Sequence, residues 1–501
     1  MADIETSYET WLKRFTVRPG DARSCVDVLA GFVASLPERD RECVIMFDEM
    51  KLNDSATYDA SNDCMLGPNG QLQQVMIRSL FGTWKYPVYF QFDEAVTAAS
   101  FLQLVKDIES SGVRIVAAVC DMGPKNRSLW TQLGITYKGD TYITHPSDDS
   151  RRIWMFADAP HLLKLLRNYV LDEGVRLPGG GLVNKDLMTD VLGIDGDKEF
   201  KMLPKLGVKS HIEVKGQARQ KVRPAAQLLS SSVATALEMF HPEKKEEADF
   251  IRLCDSVFDV LNGHSPGDAK PLKRGLGHAD SPQLQVLADF EQLIQTMQIG
   301  TRTTLLPFQQ GFLMSIKSVR GLMEDSKSRY GPGTYILPGK VNQDILESFF
   351  SLVRGKGGAN FNPTPVEAKC RVRNLTLMYA LRLGINPLSG SAEPSHAPSD
   401  DEIPETDFFS DQEKEATESA TDVAEMAELL RTANCAASSR SRMPESRPAS
   451  WTPEREYDQC GSALRRQVGE ASIATSSALL QQMHARRQHR LQLAAISVQL
   501  E

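Results

Sequence analysis

Two aspartates stand directly behind short apolar runs. Asp48 follows Cys43-Val44-Ile45-Met46-Phe47, and Asp121 follows the run from Val113 to Val119 and Cys120. Near-continuous, β-branched-rich runs of this length are what buried strands show, so each run predicts a strand that delivers its acid at the carboxyl end. In an open α/β sheet, ligand sites gather at those ends, and acids placed there converge in space. Further acids lie in Asn342-Gln343-Asp344-Ile345-Leu346-Glu347-Ser348-Phe349-Phe350. As a helix, this stretch puts Ile345, Leu346, Phe349, Phe350 and Val353 on one face, with Asp344 and Glu347, three apart, on the other. Carboxylates meeting from such distant positions suit Mg²⁺ or Mn²⁺. Mg²⁺ is a hard cation that keeps water and binds through a few carboxylates and a substrate phosphate. Two such ions about 3.5–4 Å apart can activate a hydroxyl and stabilise the leaving oxygen of a phosphodiester. The same spacing also fits a plainer account. Strand-end acids often cap helices or shape turns, and Asp-x-x-Glu on a helix is commonly a solvated face. Spacing does not choose between them.

These acids need a sheet to hold them. Residues 41–135 alternate strand and helix: after the Asp48 run come Val75–Phe81 and Pro87–Phe92, two strands joined tightly around Gly82-Thr83-Trp84-Lys85. Glu94–Glu109 carries a helical apolar stripe (Val96, Phe101, Leu102, Leu104, Val105, Ile108) that ends at Ser110-Ser111-Gly112. From Asp158 to about Gln310, leucine-rich helical patterns dominate, at His161–Leu171, Ala225–Phe240, Ala248–Leu261 and Pro282–Met297. A final helix is expected over Val341–Val353. The fold class is therefore α/β, with an early sheet, a helical block and a late helix returning to the sheet. We divide the chain into a lead-in at 1–40, a first core part at 41–171, a helical insertion at 172–332, a last core part at 333–387 and a tail at 388–501.

Composition limits the functional classes. The chain is 41% hydrophobic and 24% charged, values typical of a globular protein. No run of about 18 apolar residues is present, so no membrane partner is expected. Met1–Thr10 has acids and no apolar stretch, which argues against a secretory signal. The eight cysteines are scattered with no C-x-x-C pair, which suggests neither a disulfide framework nor a cysteine zinc site and fits a reducing compartment. Of the net charge of −8, the segment from Asn386 onward carries all of it, with 19 acidic and 11 basic residues. That tail has the composition of a disordered acidic segment. The remainder is neutral, so the acidic pI says nothing against a body that handles nucleic acid.

Four blocks together resemble the P-element-type DNA transposases, THAP-associated transposases and their domesticated relatives. Val44–Leu52 is similar to their first catalytic strand. Val119-Cys120-Asp121-Met122-Gly123-Pro124-Lys125-Asn126-Arg127 with Leu129-Trp130 is similar to their second catalytic block. Ala157-Asp158-Ala159-Pro160-His161-Leu162-Leu163-Lys164 with Arg167-Asn168 resembles the D-x-P-H-L-x-K-x-x-R-N start of their inserted domain. Gln343–Phe350 with Arg354, Gly357-Gly358 and Asn362-Pro363-Thr364 resembles the block with their last catalytic glutamate. The blocks occur in the family's order across roughly residues 15–385.

The resemblance implies a ribonuclease H-like core split by an inserted, mainly helical GTP-binding domain. It implies a catalytic and metal-binding set of Asp48, Asp121 and Glu347, with Asp344, Asp158 and His161 in second-tier catalytic or structural roles. It further implies GTP as a bound, non-hydrolysed cofactor. Phe258-Asp259-Val260-Leu261-Asn262 looks like the family's F-D-x-x-N, and an Asp carboxylate can accept from guanine N1–H and N2–H₂. Lys201, Lys215 and Lys221 fall in the stretch corresponding to the family's nucleotide-contacting region. No G-x-x-x-x-G-K-[ST] is present, so a P-loop is not expected. The expected activity is metal-dependent DNA cleavage and strand transfer by a nuclear, homo-oligomeric protein. Two departures matter. No zinc-finger arrangement precedes Asp48, so weak DNA sequence preference is expected. An acidic tail also has no matching counterpart. They keep open a domesticated, catalytically weak DNA- or chromatin-associated protein, and a GTP-responsive binding module.

Overall fold

The computed structural model describes residues 15–60, 62–193, 202–278, 282–355 and 362–384. Lys201 and the acidic segment 388–501 lie outside these residues. Helix α1 (Arg23–Val33) leads into β1 (Glu42–Lys51), followed by a small hairpin, β2 (Thr57–Asp59) and β3 (Cys64–Leu66). Then come β4 (Gln71–Ser79), β5 (Lys85–Phe92), α2 (Ala98–Glu109), β6 (Arg114–Cys120), α3 (Pro124–Gln132), β7 (Tyr142–His145) and β8 (Asp148–Ala157). The main sheet has the order β5-β4-β1-β6-β8-β7. β5, β4 and β1 are antiparallel, β6 and β8 run parallel to β1, and β7 closes the edge antiparallel to β8.

Both acid-delivering runs are strands, and their burial explains their composition. Cys43 to Phe47 of β1 and Ile115 to Cys120 of β6 are all buried. A strand covered on both faces has no solvent side on which to place polar residues, so the period-2 alternation disappears. α1 packs against β5, α2 against β6 and the later helix α12 (Pro365–Arg382) against β5. The helix after β5 starts at Ala98, four residues later than the Glu94 start expected from sequence. The Thr97 hydroxyl accepts from Ser100 N, and Ser100 Oγ accepts from Thr97 N, a reciprocal cap that sets the start.

The hairpin β7–β8 has no matching signal in the sequence pattern. The first half of β8, Asp148-Asp149-Ser150-Arg151-Arg152, is polar and only Ile153–Ala157 is buried, so it lacks the long apolar run of β1 and β6. It supplies the third parallel strand. After β8 come α4 (Ala159–Asp172), β9 (Val175–Arg176), β10 (Leu182–Val183), α5 (Lys185–Gly193), α6 (Val222–Leu228), α7 (Ser231–Phe240), α8 (Lys245–Leu261), α9 (Gln283–Thr296) and β11 (Gln298–Ile299). The single helix expected over Ala225–Phe240 is two. Ser230 is extended, and Ser231 gives its N–H and hydroxyl to Asp255 at 3.1 and 2.5 Å. Serines that bond a side chain in this way favour a helix start over a helix interior.

Helix α10 (Pro307–Tyr330) falls within the range 172–332 read as insertion, yet it lies against β8 of the main sheet. Ser315 Oγ bonds both the N–H and the carbonyl of Ala157 at 3.0 Å, and Ser318 Oγ donates to Met155 O at 2.6 Å. A Cβ on Gly311 would sit 2.7 Å from Leu162, and one on Gly321 2.0 Å from the Trp154 ring. Gly311, Ser315 and Ser318 are spaced i, i+4, i+7, one helix face. Small residues there bring the helix axis close to the sheet. A count of leucines cannot detect such a contact.

Candidate active site

Strand register brings the first acids level. In the β1–β6 pair, Met46 lies opposite Val119, and in β6–β8, Cys120 lies opposite Ala157. Continuing each pairing by a residue or two aligns Asp48, Asp121 and Asp158 just past the end of the parallel pairing; β1 itself runs on to Lys51 against β4, so Asp48 lies inside its strand and not at the end expected from sequence. Neighbouring strands are about 4.8 Å apart, so these positions form a row along one rim of the sheet. The fourth acid arrives on α11 (Asp344–Gly355), whose Ile345, Leu346, Phe349, Phe350 and Val353 are buried. That apolar face is the one expected from sequence, although the helix starts at Asp344, later than Val341.

The segment before α11 is tied to the strand ends. Gln343 N donates to Asp158 Oδ1 and Gln343 Nε2 donates to Phe47 O, both at 2.8 Å. Phe47 immediately precedes Asp48, so one glutamine joins the last acid's helix to the first acid's strand. Glu347 is thereby held where its charge acts on Asp48. Burial, reinforced by Asp121 and Glu347, pushes Asp48 up to about 7. Burial also raises Glu347, against the opposing pull of Lys164. Such shifts mark a cleft where negative charge lacks compensation.

Each acid is meanwhile held by the protein itself. Asp48 Oδ1 accepts from Glu49 N at 2.8 Å. Asp121 Oδ1 accepts from Gly123 N at 2.9 Å and Asn126 Nδ2 at 2.6 Å. Glu347 Oε1 lies 3.8 Å from Lys164 Nζ, and Lys164 is itself buried. Among the described residues, no three His, Cys, Asp or Glu side chains are closed around one point as a ready-made metal site. The donor chemistry nevertheless suits a divalent cation: three carboxylates of distant origin, two of them held above their usual range by burial and by neighbouring acids, which a cation would relieve.

The second-tier residues separate into different roles. Asp158 is buried and caps α4, its Oδ2 accepting from His161 N at 3.0 Å while Oδ1 takes Gln343 N. Burial would raise its carboxyl, but His161 and the Gln343 N–H outweigh that and hold it below the usual range. It is a structural clasp between β8, α4 and α11. Burial lowers His161, and the neighbouring Asp158 more than offsets this, leaving it raised. Its Nδ1 lies 3.4 Å from Asp158 Oδ2 without hydrogen-bond alignment. Asp344 pairs with Arg78 of β4 at 2.8 Å, so the two acids of Asp-x-x-Glu take different partners. Lys164, whose charge acts on Glu347, and Arg354, whose charge acts with Asp48 and Glu347, join the site; both lie within the motif blocks, where nothing in the sequence marks them as facing the acids.

The F-D-x-x-N block ends α8. Phe258, Asp259 and Asn262 are all buried. Asp259 faces Lys270 Nζ at 2.9 Å and Lys273 Nζ at 3.7 Å. Burial raises its carboxyl despite these lysines. Lys215 and Lys221 are exposed, flank the short turn Gly216–Gln220, and make no described contact with Asp259. The cations that meet the aspartate are thus Lys270 and Lys273. Their only sequence signal is a Lys-x-x-Lys just past the block. Asn262 Oδ1 accepts from Asn342 Nδ2 at 2.7 Å, so the end of α8 reaches the segment that enters α11.

Comparison with known proteins agrees with this architecture. Family models match for the TNP-like RNase H N-terminal domain over residues 17–134, the TNP-like GTP-binding insertion domain over 160–274 and the TNP-like RNase H C-terminal domain over 340–367. The chain is 32% identical over 377 residues to the Drosophila melanogaster Transposable element P transposase, covering 74% of this chain and 49% of that protein. It is 23% identical over 413 residues to human DNA transposase THAP9, covering 74% of this chain and 44% of that one. The chain thus spans about half the length of the curated relatives it matches. A solved Drosophila P element transposase strand transfer complex superposes with a TM-score of 0.69 at 30% identity, covering 74% of this chain and 84% of that chain. No described helix is long and apolar enough to cross a membrane. A split ribonuclease H-like core with an interposed GTP-binding-type domain, matched across most of a solved relative, makes this chain a member of the P-element-type DNA transposase family.

Proposed function

We propose that this chain is the catalytic body of a DNA transposase that cleaves phosphodiester bonds and transfers strands in the nucleus. The observation carrying this reading is the level placement of Asp48 and Asp121 on adjacent parallel strands just past their last pairing, with Glu347 brought within electrostatic reach by Gln343. Asp48, Asp121 and Glu347 would hold divalent metal, Mg²⁺ or Mn²⁺. When bound, two such ions supply an activated hydroxyl and a stabilised leaving oxygen. Asp158 and Gln343 keep the helix of Glu347 against the strand of Asp48. Lys164 balances Glu347 until metal enters. The relative solved as a strand transfer complex supports DNA as the substrate. A homo-oligomer is expected, so that two active sites can act on two DNA ends together. A second reading, a domesticated DNA- or chromatin-associated protein with little catalysis, draws on the bonds that already occupy Asp121 and Glu347. Incubating the protein with Mn²⁺ and pre-cleaved duplex separates them: joined product supports the enzyme, and binding without product in either metal supports the relic.

GTP is the proposed regulatory ligand of the insertion. Asp259 would accept from guanine N1–H and N2–H₂ once Lys270, whose side chain is 55% exposed, turns toward the phosphates. GTP should therefore slow hydrogen exchange across Phe240–Gly263, and Asp259→Ala should remove that protection. ATP should protect poorly, because it lacks the N1–H and presents an N6 amine. Equal protection by both nucleotides, or by neither, would count against guanine recognition by this block.

A further inference from the structure

We propose that Asn342 determines the purine specificity of the insertion by fixing which end of the Asn262 side-chain amide faces the base. The inference deepens the guanine reading of the Asp259–Asn262 block and rests on it.

The argument is one of hydrogen-bond polarity. A primary amide offers a donor at one end and an acceptor at the other, and its neighbours decide which way it turns. Asn342 is buried, and its Nδ2 lies 3.4 Å from Leu261 O and 2.7 Å from Asn262 Oδ1. A backbone carbonyl can only accept, so the Asn342 amide nitrogen belongs on that side. A nitrogen placed there can only donate, so Asn262 must present its oxygen to it. Asn262 Nδ2 therefore points the other way, and it has no hydrogen-bond partner among the described residues. The frame is stiff. Gly339 N donates to Gly263 O at 2.9 Å, and a Cβ on Gly263 would sit 2.3 Å from Lys273 O. Gln343, the next residue, is bound to Asp158 and Phe47. Asn342 cannot follow Asn262 if that amide turns.

The result is a fixed donor three residues, about one helical turn, past the Asp259 carboxylate, which can only accept when ionised. Guanine presents the complement, with O6 an acceptor beside N1–H and N2–H₂ donors. Adenine presents an N6 amine, which meets the Asn262 Nδ2 donor head-on. Asp259 reads the two donors, and Asn262, oriented by Asn342, reads the oxygen. Asn342 itself touches no nucleotide.

Asn342→Asp tests this most sharply. A carboxylate cannot donate to Asn262 Oδ1, so the amide reverses to give its Nδ2 to the aspartate and turns its oxygen toward the base. In equilibrium binding with the full chain, the ratio of GTP to ATP affinity should fall by roughly 10- to 100-fold, the size of one polar contact replaced by facing like groups. The ratio of GTP to inosine triphosphate should not change, because those two share O6 and differ only in the amine read by Asp259. Asn342→Leu, which removes the bond without reversing it, should lower the GTP-to-ATP ratio by a smaller factor and serves if the aspartate variant does not fold. Thermal melting identifies a variant that has not folded. The inference is overturned if a folded variant keeps the wild-type GTP-to-ATP ratio, or if both ratios fall together. Absence of any GTP preference in the unmodified protein overturns the guanine reading itself, and this inference with it.

Discussion

Replacing Asp48, Asp121 or Glu347 with the corresponding amide will lower Mn²⁺-dependent strand joining by well over about 100-fold, beyond what loss of an outer-sphere contact costs a metal site. Each replacement keeps shape and removes the charge that a cation needs. The three losses should be similar in size, because the ions are shared and losing one ligand disrupts the pair. Asp344→Asn should cost less, since Asp344 is engaged with Arg78. DNA binding should persist in all four variants and weaken steeply with salt, as backbone-directed binding does. Joining assays on pre-cleaved duplex, with binding measured in parallel at two salt concentrations, check this. Normal joining by any one of the three amide variants would remove that residue from the proposed set.

Gly321→Val will destabilise the fold by at least about 3 kcal/mol, the upper end of the usual cost of overpacking. The Cβ alone would lie 2.0–2.4 Å from three Trp154 ring atoms. Trp154 cannot easily retreat, because it is buried in β8 and its Nε1 donates to Asp325 of α10 at 2.8 Å. The helix must therefore lift from the sheet, weakening the bonds of Ser315 and Ser318 to β8. Since β8 leads into Asp158, the clasp on Gln343 should loosen as well. Urea unfolding reads the loss as a lower midpoint. Gly193→Ala, where a Cβ meets nothing within 4 Å, is the control and should change the midpoint little. A Gly321→Val midpoint matching that control would mean that α10 does not pack on β8 as described.

Much of the acidic rim was legible in the residues alone. The runs ending at Asp48 and Asp121 are strands because stretches of this kind are stable mainly where both faces are buried, and the helix of Glu347 shows its face through the spacing of Ile345, Leu346, Phe349, Phe350 and Val353. These are local signals, written in patterns a few residues long. What only the tertiary structure decided lies at long range. That β6 pairs in parallel with β1, and in the register that aligns the aspartates, depends on pairings across some seventy residues. The sheet contact of α10 runs through glycines and serines, whose value is the space they leave, and the polar first half of β8 hides a central strand. The partners of the site residues also came only with the fold: Lys164 for Glu347, Arg78 for Asp344, Lys270 for Asp259 and Asn342 for Asn262. A side chain's type states what it can donate or accept. Which group stands opposite is set by how distant segments pack, and at this site that choice bears on both charge and specificity.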